Sequence, residues 1–135
     1  MIQTYYRQEA GYHPFLIREG WQVAQLNYLD GHGFQDIARI EVHAATDEVF
    51  ILFKGTAVLI AACLGSGNTA FECRKMQPGV TYNMPAGTWH NIAMDRAAEM
   101  IIVEKAGTHL GDCAYKALSP QEQTVLYAAI EHELS

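Results

Sequence analysis

The chain lacks the features that would mark it for nucleic acid, a membrane or an oxidising compartment. Basic residues are scarce, nine Lys and Arg against fifteen Asp and Glu, for a formal net charge of −6. Only Arg74 and Lys75 stand side by side. Nucleic-acid binders need a basic footprint, so no such partner is expected. An acidic surface also disfavours anionic membranes. Long apolar runs are missing as well. The most apolar stretch, residues 49–64, is broken by Lys54 and Gly55 and falls short of the roughly 20 residues of a spanning helix. The first residues, MIQTYYRQEAG, carry neither the basic head nor the apolar core of a signal peptide. The expectation is a cytoplasmic protein. Cysteine is sparse and odd in number: Cys63, Cys73 and Cys113, with no CxxC spacing. That usage reads as free thiols serving as small buried hydrophobes. No repeat, low-complexity tract or linker interrupts the chain.

What is present is the composition of one folded domain. Of 135 residues, 50% are hydrophobic and 18% charged, and a chain this long buries enough surface to dispense with staples. Residues 1–135 are read as a single domain, with residues 1–20 as an N-terminal extension. Strand candidates fall at residues 21–29, 37–43, 48–53, 56–63, 71–76, 81–84, 89–94 and 100–104. Turn residues divide them, among them Asp30-Gly31, Gly65-Ser66-Gly67-Asn68, Gln77-Pro78-Gly79 and Pro85-Ala86-Gly87. Lys54-Gly55 reads as a tight hairpin. This spacing predicts an all-β sandwich or barrel. Only the end departs from it. Ser119-Pro120-Gln121-Glu122 is a capping box with Pro at the first helical position. Leu126, Ile130 and Leu134 recur every four residues, and Val125 and Ala129 widen the stripe. A helix over about residues 120–133, packed on the β-core, follows.

Candidate chemistry lies between residues 39 and 90. Side chains alternate along a strand, so in residues 37–43 Ala38, Ile40 and Val42 share one face and Arg39, Glu41 and His43 the other. In a closed barrel the second face points inward, where ionisable groups need partners or a ligand. At a sheet edge it meets solvent. Glu48 follows shortly, and the Pro85-Ala86-Gly87 bend can deliver His90 beside a distant strand. Two imidazoles with one or two carboxylates suit a borderline or hard divalent metal. Phe50, Leu52, Tyr82, Met84, Ile92 and Ile102 are candidates for a lumen wall. Trp89 falls on the face opposite His90 and reads as packing. His13, His32, His109 and His132 occupy turn or terminal contexts and read as surface.

These residues resemble the two motifs of the cupin family. The stretch EVHAATDEVFILFKG supplies His43, Glu48 and Gly55 in the register of the first motif. The stretch GVTYNMPAGTWHNIAM supplies Gly79, Pro85, Gly87 and His90 in the register of the second. Together they span residues 41–94. The chain departs from the family pattern at three positions. Glu41 stands where the first His of a His-x-His pair belongs, Met94 replaces the closing Asn, and Gln35 replaces the opening Gly. The resemblance implies a cupin double-stranded β-helix, a jelly-roll barrel, with a C-terminal α-helix. It implies a homodimer, and it implies that His43, Glu48 and His90 are metal-ligand positions. Glu41 is a fourth ligand, an orienting group, or the mark of a cupin that has lost its metal. Iron, manganese, zinc and nickel all fit such a donor set.

Three functions follow. The first is a metal-dependent enzyme acting on a small polar or anionic metabolite by oxygenation, isomerisation or lyase chemistry. Glu41, if free, is then a candidate general base, and Arg39 pairs an anionic substrate group. The second is a non-catalytic barrel that binds or senses a sugar-like or acidic small molecule, with or without metal. The third is an auxiliary subunit whose helix and acidic surface form an interface.

Overall fold

The structure, a computed structural model, describes residues 1–135. Ten strands form two five-stranded antiparallel sheets. The first has the order β1 (Gly11–Arg18), β2 (Trp21–Asn27), β9 (Glu99–Glu104), β4 (Glu48–Lys54) and β7 (Thr81–Met84). The second has the order β10 (Ala114–Ala117), β3 (Arg39–Val42), β8 (Trp89–Met94), β5 (Ala57–Leu64) and β6 (Thr69–Lys75). Two helices complete the chain, α1 (Thr108–Gly111) and α2 (Pro120–Leu134). Neither helix is long and apolar enough to cross a membrane.

Two apolar cores explain the layering. One lies between the sheets and joins Leu26, Phe50, Leu52, Leu59, Met84, Ile92, Met100 and Ile102. The other lies between the second sheet and α2 and joins Ile40, Val58, Ile60, Ala93, Leu126 and Ile130. Strand β5 serves both. Its Ala57 and Leu59 face the first core, its Val58 and Ile60 the second. Burial on both faces is why this strand reads as an unbroken apolar run rather than an alternating one.

Strands β7 and β8 have the bounds expected from sequence, and α2 starts at Pro120 under the expected capping box. Four expectations are corrected. Lys54-Gly55 is not a hairpin: β4 pairs with β7 and β9, and β5 with β6 and β8, so the chain crosses there from one sheet to the other. Within the supposed extension, Gly11–Arg18 form β1, an edge strand paired to β2. Its register shifts between His13 and Leu16, around Pro14. An edge with an irregularity is where a strand tolerates proline, and that proline hides the strand in the sequence. On α2, Val125 is 55% exposed and lies off the buried stripe of Leu126 and Ile130. Among the thiols, Cys63 is exposed.

The cap on α2 is testable. Ser119 Oγ accepts from the Glu122 amide at 3.1 Å, and Glu122 Oε1 accepts from the Ser119 amide at 2.9 Å. Ser119→Ala should lower stability by about 1 kcal/mol, read as a lower urea midpoint with an unchanged slope. An unchanged midpoint would show that Glu122 and Pro120 hold this end unaided.

Candidate metal centre

Strand geometry brings the motif residues together. The inward face of β3 carries Glu41, with Arg39 two residues before it and His43 two after. Glu41 lies directly across from His90 on β8. Glu48 opens β4, on the face that also carries Phe50 and Leu52. Ile40, on the opposite face of β3, is buried under α2. The second sheet is thus covered on both sides, and this decides the alternative the sequence left open. The face of Arg39, Glu41 and His43 points into the lumen.

The donor atoms of Glu41, His43, Glu48 and His90 all lie within 4.8 Å of one another. Glu48 bridges the imidazoles. Its Oε2 is 3.3 Å from His43 Nε2, and its Oε1 is 3.1 Å from His90 Nε2. Glu41 stands further out, with Oε1 3.9 Å from His90 Nε2 and Oε2 accepting from Cys113 Sγ at 3.1 Å. His43, Glu48 and His90 are each at most 6% exposed.

Backbone carbonyls fix both rings. His43 Nδ1 donates to the Asp112 carbonyl at 2.6 Å, and His90 Nδ1 donates to the Thr88 carbonyl at 2.8 Å. A carbonyl only accepts, so each Nδ1 holds its hydrogen and each Nε2 faces the centre. This is the support that metal-binding imidazoles use. The Asp112 loop is itself tied down, its carboxylate accepting from the Ala44 and Ala45 amides at 2.9 and 2.8 Å.

Electrostatics show what the cluster needs. The Glu48 hydrogen bond pushes the His43 imidazole up to about 9 against the opposing effect of burial. At His90 burial opposes the charge, but the Glu48 hydrogen bond prevails and raises it. Burial likewise works against the Glu48 charge, yet bonds from His43 and His90 hold this carboxyl well below its usual range. In the metal-free protein the proton on His43 Nε2 stands where a cation would.

Glu104 adds a third carboxylate that sequence reasoning missed. One step beyond the Val49–Val103 pair, it sits across β9 from Glu48. Burial, with the adjoining Glu48, pushes it up to about 8. No donor from elsewhere in the protein reaches its buried Oε2. Two carboxyl groups opposed across a sheet do not both carry charge at little cost, and Glu104 instead shares a hydrogen bond with the Glu48 carboxylate. A divalent metal fits the donor set on these grounds: convergent N and O donors from two imidazoles and two carboxylates, with both rings anchored. A signal for Glu104 does exist in the sequence. Met100, Ile102 and Glu104 share one strand face, and a carboxylate in register with core residues marks an inward charge. Asp112 offers no such signal, since its carbonyl acts from a loop.

Above the cluster is a cavity of about 250 Å³. Phe50, Ile92 and Ile102 line it as expected from sequence, whereas Leu52 and Met84 belong to the apolar core beneath. Tyr82 is spent on the Gln77 amide, from which its hydroxyl accepts. Trp89 packs on the second core, as expected. His32 and His109, read as surface from sequence, line the cavity instead. Arg39 also lines it, its guanidinium 3.8 Å over the Tyr115 ring. Burial pushes the Cys113 thiol up to about 11, which removes it as a nucleophile near neutral pH.

No protein-family model matches the chain, and no curated protein matches it in sequence. Solved structures do match. A cupin-2 domain protein from Shewanella frigidimarina superposes with TM-score 0.50 at 20% identity, over 74% of this chain and 84% of that one. BH2720 from Bacillus halodurans superposes at 0.58 and 18% identity, over 74% and 73%. A Streptomyces PAC13 variant solved with uridine superposes at 0.58 and 12% identity, over 90% and 98%. The chain has the cupin fold.

Proposed function

We propose that the protein holds a divalent metal with His43, Glu48, His90 and Glu41 and acts on a small polar or anionic molecule bound in the lumen above it. The observation that carries this reading is the convergence of four N and O donors within 4.8 Å, two of them on rings anchored by carbonyls. A metal in such a site acts as a Lewis acid toward an oxygen of the bound molecule. The protein's own groups do the rest. Arg39, held flat on Tyr115 and free of any ion pair, presents its N–H edge to an anionic group of the ligand. Phe50, Ile92 and Ile102 exclude water and strengthen each polar contact. Glu41, the outermost carboxylate, is placed to accept a proton when it is not coordinating. The test is metal analysis of protein purified without chelator, followed by product analysis with candidate carboxylates and hydroxy acids. Metal present with every candidate recovered unchanged would assign a binder rather than an enzyme.

Metal affinity should rise with pH. A metal must displace the protons that His43 and His90 hold in its absence. The His43 proton stays bound until pH rises past about 9, and the hydrogen bond to Glu48 makes His90 hold its proton more tightly than a free imidazole does. Each proton displaced steepens the dependence by tenfold per pH unit. Mn(II) affinity measured by electron paramagnetic resonance should fall between about tenfold and a hundredfold per unit from roughly pH 8 to pH 6. A flat profile would show that the imidazoles are not ligands.

A further inference from the structure

The three inward side chains of β3 are each held by the short segment that enters β10. That strand pairs with β3 at the sheet edge, Ala114 across from Val42 and Tyr115 across from Glu41. The Tyr115 ring lies under the Arg39 guanidinium, 3.8 Å from it. The Asp112 carbonyl accepts from His43 Nδ1 at 2.6 Å. Cys113 holds Glu41. Two residues before Tyr115, it falls on the same face, and its Sγ lies 3.1 Å from Glu41 Oε2. Two anions would repel at that distance, so the sulfur keeps its hydrogen and donates it. A thiol serving only as a small hydrophobe would pack among apolar neighbours, yet Cys113 belongs to neither apolar core and lines the cavity instead. The two oxygens of Glu41 are thereby divided. Oε2 meets the thiol, and Oε1, 3.9 Å from His90 Nε2, faces the cluster.

We infer that Cys113 is a positioning residue: its thiol holds Glu41 so that Oε1 meets the metal and Oε2 stays off it. The inference deepens the proposed function and rests on it. A carboxylate that binds through both oxygens fills two coordination positions, whereas one that binds through Oε1 alone fills one. The thiol therefore keeps a position open for an oxygen of the bound molecule, in the cavity that Arg39, Glu41 and Cys113 line together. An apolar residue in place of Cys113 would leave Oε2 with no partner but the metal.

The test counts the water molecules on bound Mn(II), by water-proton relaxation, in the wild type, Cys113→Ser and Cys113→Val. Serine keeps a donor at this position and should give the wild-type count. Valine removes the donor and fills its space, so Glu41 should bind through both oxygens and expel about one water. In the Glu41→Ala background Cys113→Val should change nothing, because no carboxylate remains for the thiol to hold. A second readout needs no metal and covers a Cys113→Val protein that fails to fold. The Cys113 S–H stretch, assigned in the infrared by its loss in Cys113→Ser, should rise in frequency in Glu41→Ala as its hydrogen bond is lost. Mn(II) bound with equal water counts in wild type and Cys113→Val, or an S–H stretch unmoved by Glu41→Ala, would overturn the inference and leave the metal reading standing. So would a Cys113→Val effect that persists in Glu41→Ala, since the thiol would then act by another route. A wild-type protein that binds no Mn(II) would sink the metal reading and this inference with it, even if the infrared shift showed the hydrogen bond to be real.

Discussion

The His43→Ala/His90→Ala protein is expected to bind Mn(II) more than about a hundredfold more weakly than the wild type. Loss of a group that merely orients a metal ligand costs about tenfold to a hundredfold in affinity; here two direct donors go at once. The remaining donors are Glu48, stripped of both imidazole partners, and Glu41, which stands apart and is 29% exposed at its side chain. Glu41→Gln should therefore cost much less, about tenfold. The order of the two effects is the informative part. If Glu41 is a full ligand, its variant approaches the double-alanine protein; if it is a proton acceptor, metal stays bound while turnover falls. Thermal unfolding of each protein without metal guards against misreading a folding defect, since removing both rings leaves the buried Glu48 carboxylate uncompensated. Equal metal content in wild type and double variant would remove the basis for the proposed function.

The sequence shows the site better than it shows the sheet that builds it. Alternation in residues 37–43 places Arg39, Glu41 and His43 on one face, and the structure keeps them there. It does not say which way that face turns. The direction depends on α2 covering Ile40 from more than eighty residues away in sequence. Lys54-Gly55 has the local signature of a hairpin, yet the adjoining strands find partners elsewhere, because pairing is decided by whole strands and a turn motif decides only a local bend. Strand β1 is hidden by Pro14, and β10 by its shortness and its exposed edge position. The hold on Glu41 and His43 comes from Cys113 and Asp112, 72 and 69 residues away in numbering, and no local pattern relates them. Functional residues carried by one strand or one motif are legible. Those assembled from strand ends and loops need the register.

Gly55→Ala is expected to destabilise the protein by about 3 kcal/mol, although the substitution adds a single methyl group. Two effects combine. Gly55 has φ +78°, in the left-handed region that L side chains resist by about 1–2 kcal/mol. Beyond that, a Cβ there would lie 2.5 Å from Ala98 Cα and N and 2.6 Å from the Ala97 carbonyl carbon. These are backbone atoms and cannot rotate away. Relief requires moving the turn before β9, and forced displacements of packed structure cost about 1–3 kcal/mol. The corner is also held by reciprocal bonds, Thr56 N to Asp95 Oδ1 at 3.2 Å and Asp95 N to the Thr56 carbonyl at 3.0 Å, so a shift of either side strains the other. Gly79 supplies the control. Its φ is +82°, and an added Cβ meets nothing within 4 Å. Gly79→Ala should cost only the conformational part, about 1 kcal/mol. For a chain of this length each kcal/mol lowers Tm by about 3–5 °C, so thermal unfolding should put Gly55→Ala roughly 9–15 °C below wild type, with Gly79→Ala falling about a third as far. Equal losses in the two variants would mean that the corner where the chain passes between sheets yields freely, and that glycine is kept there for its backbone angle alone.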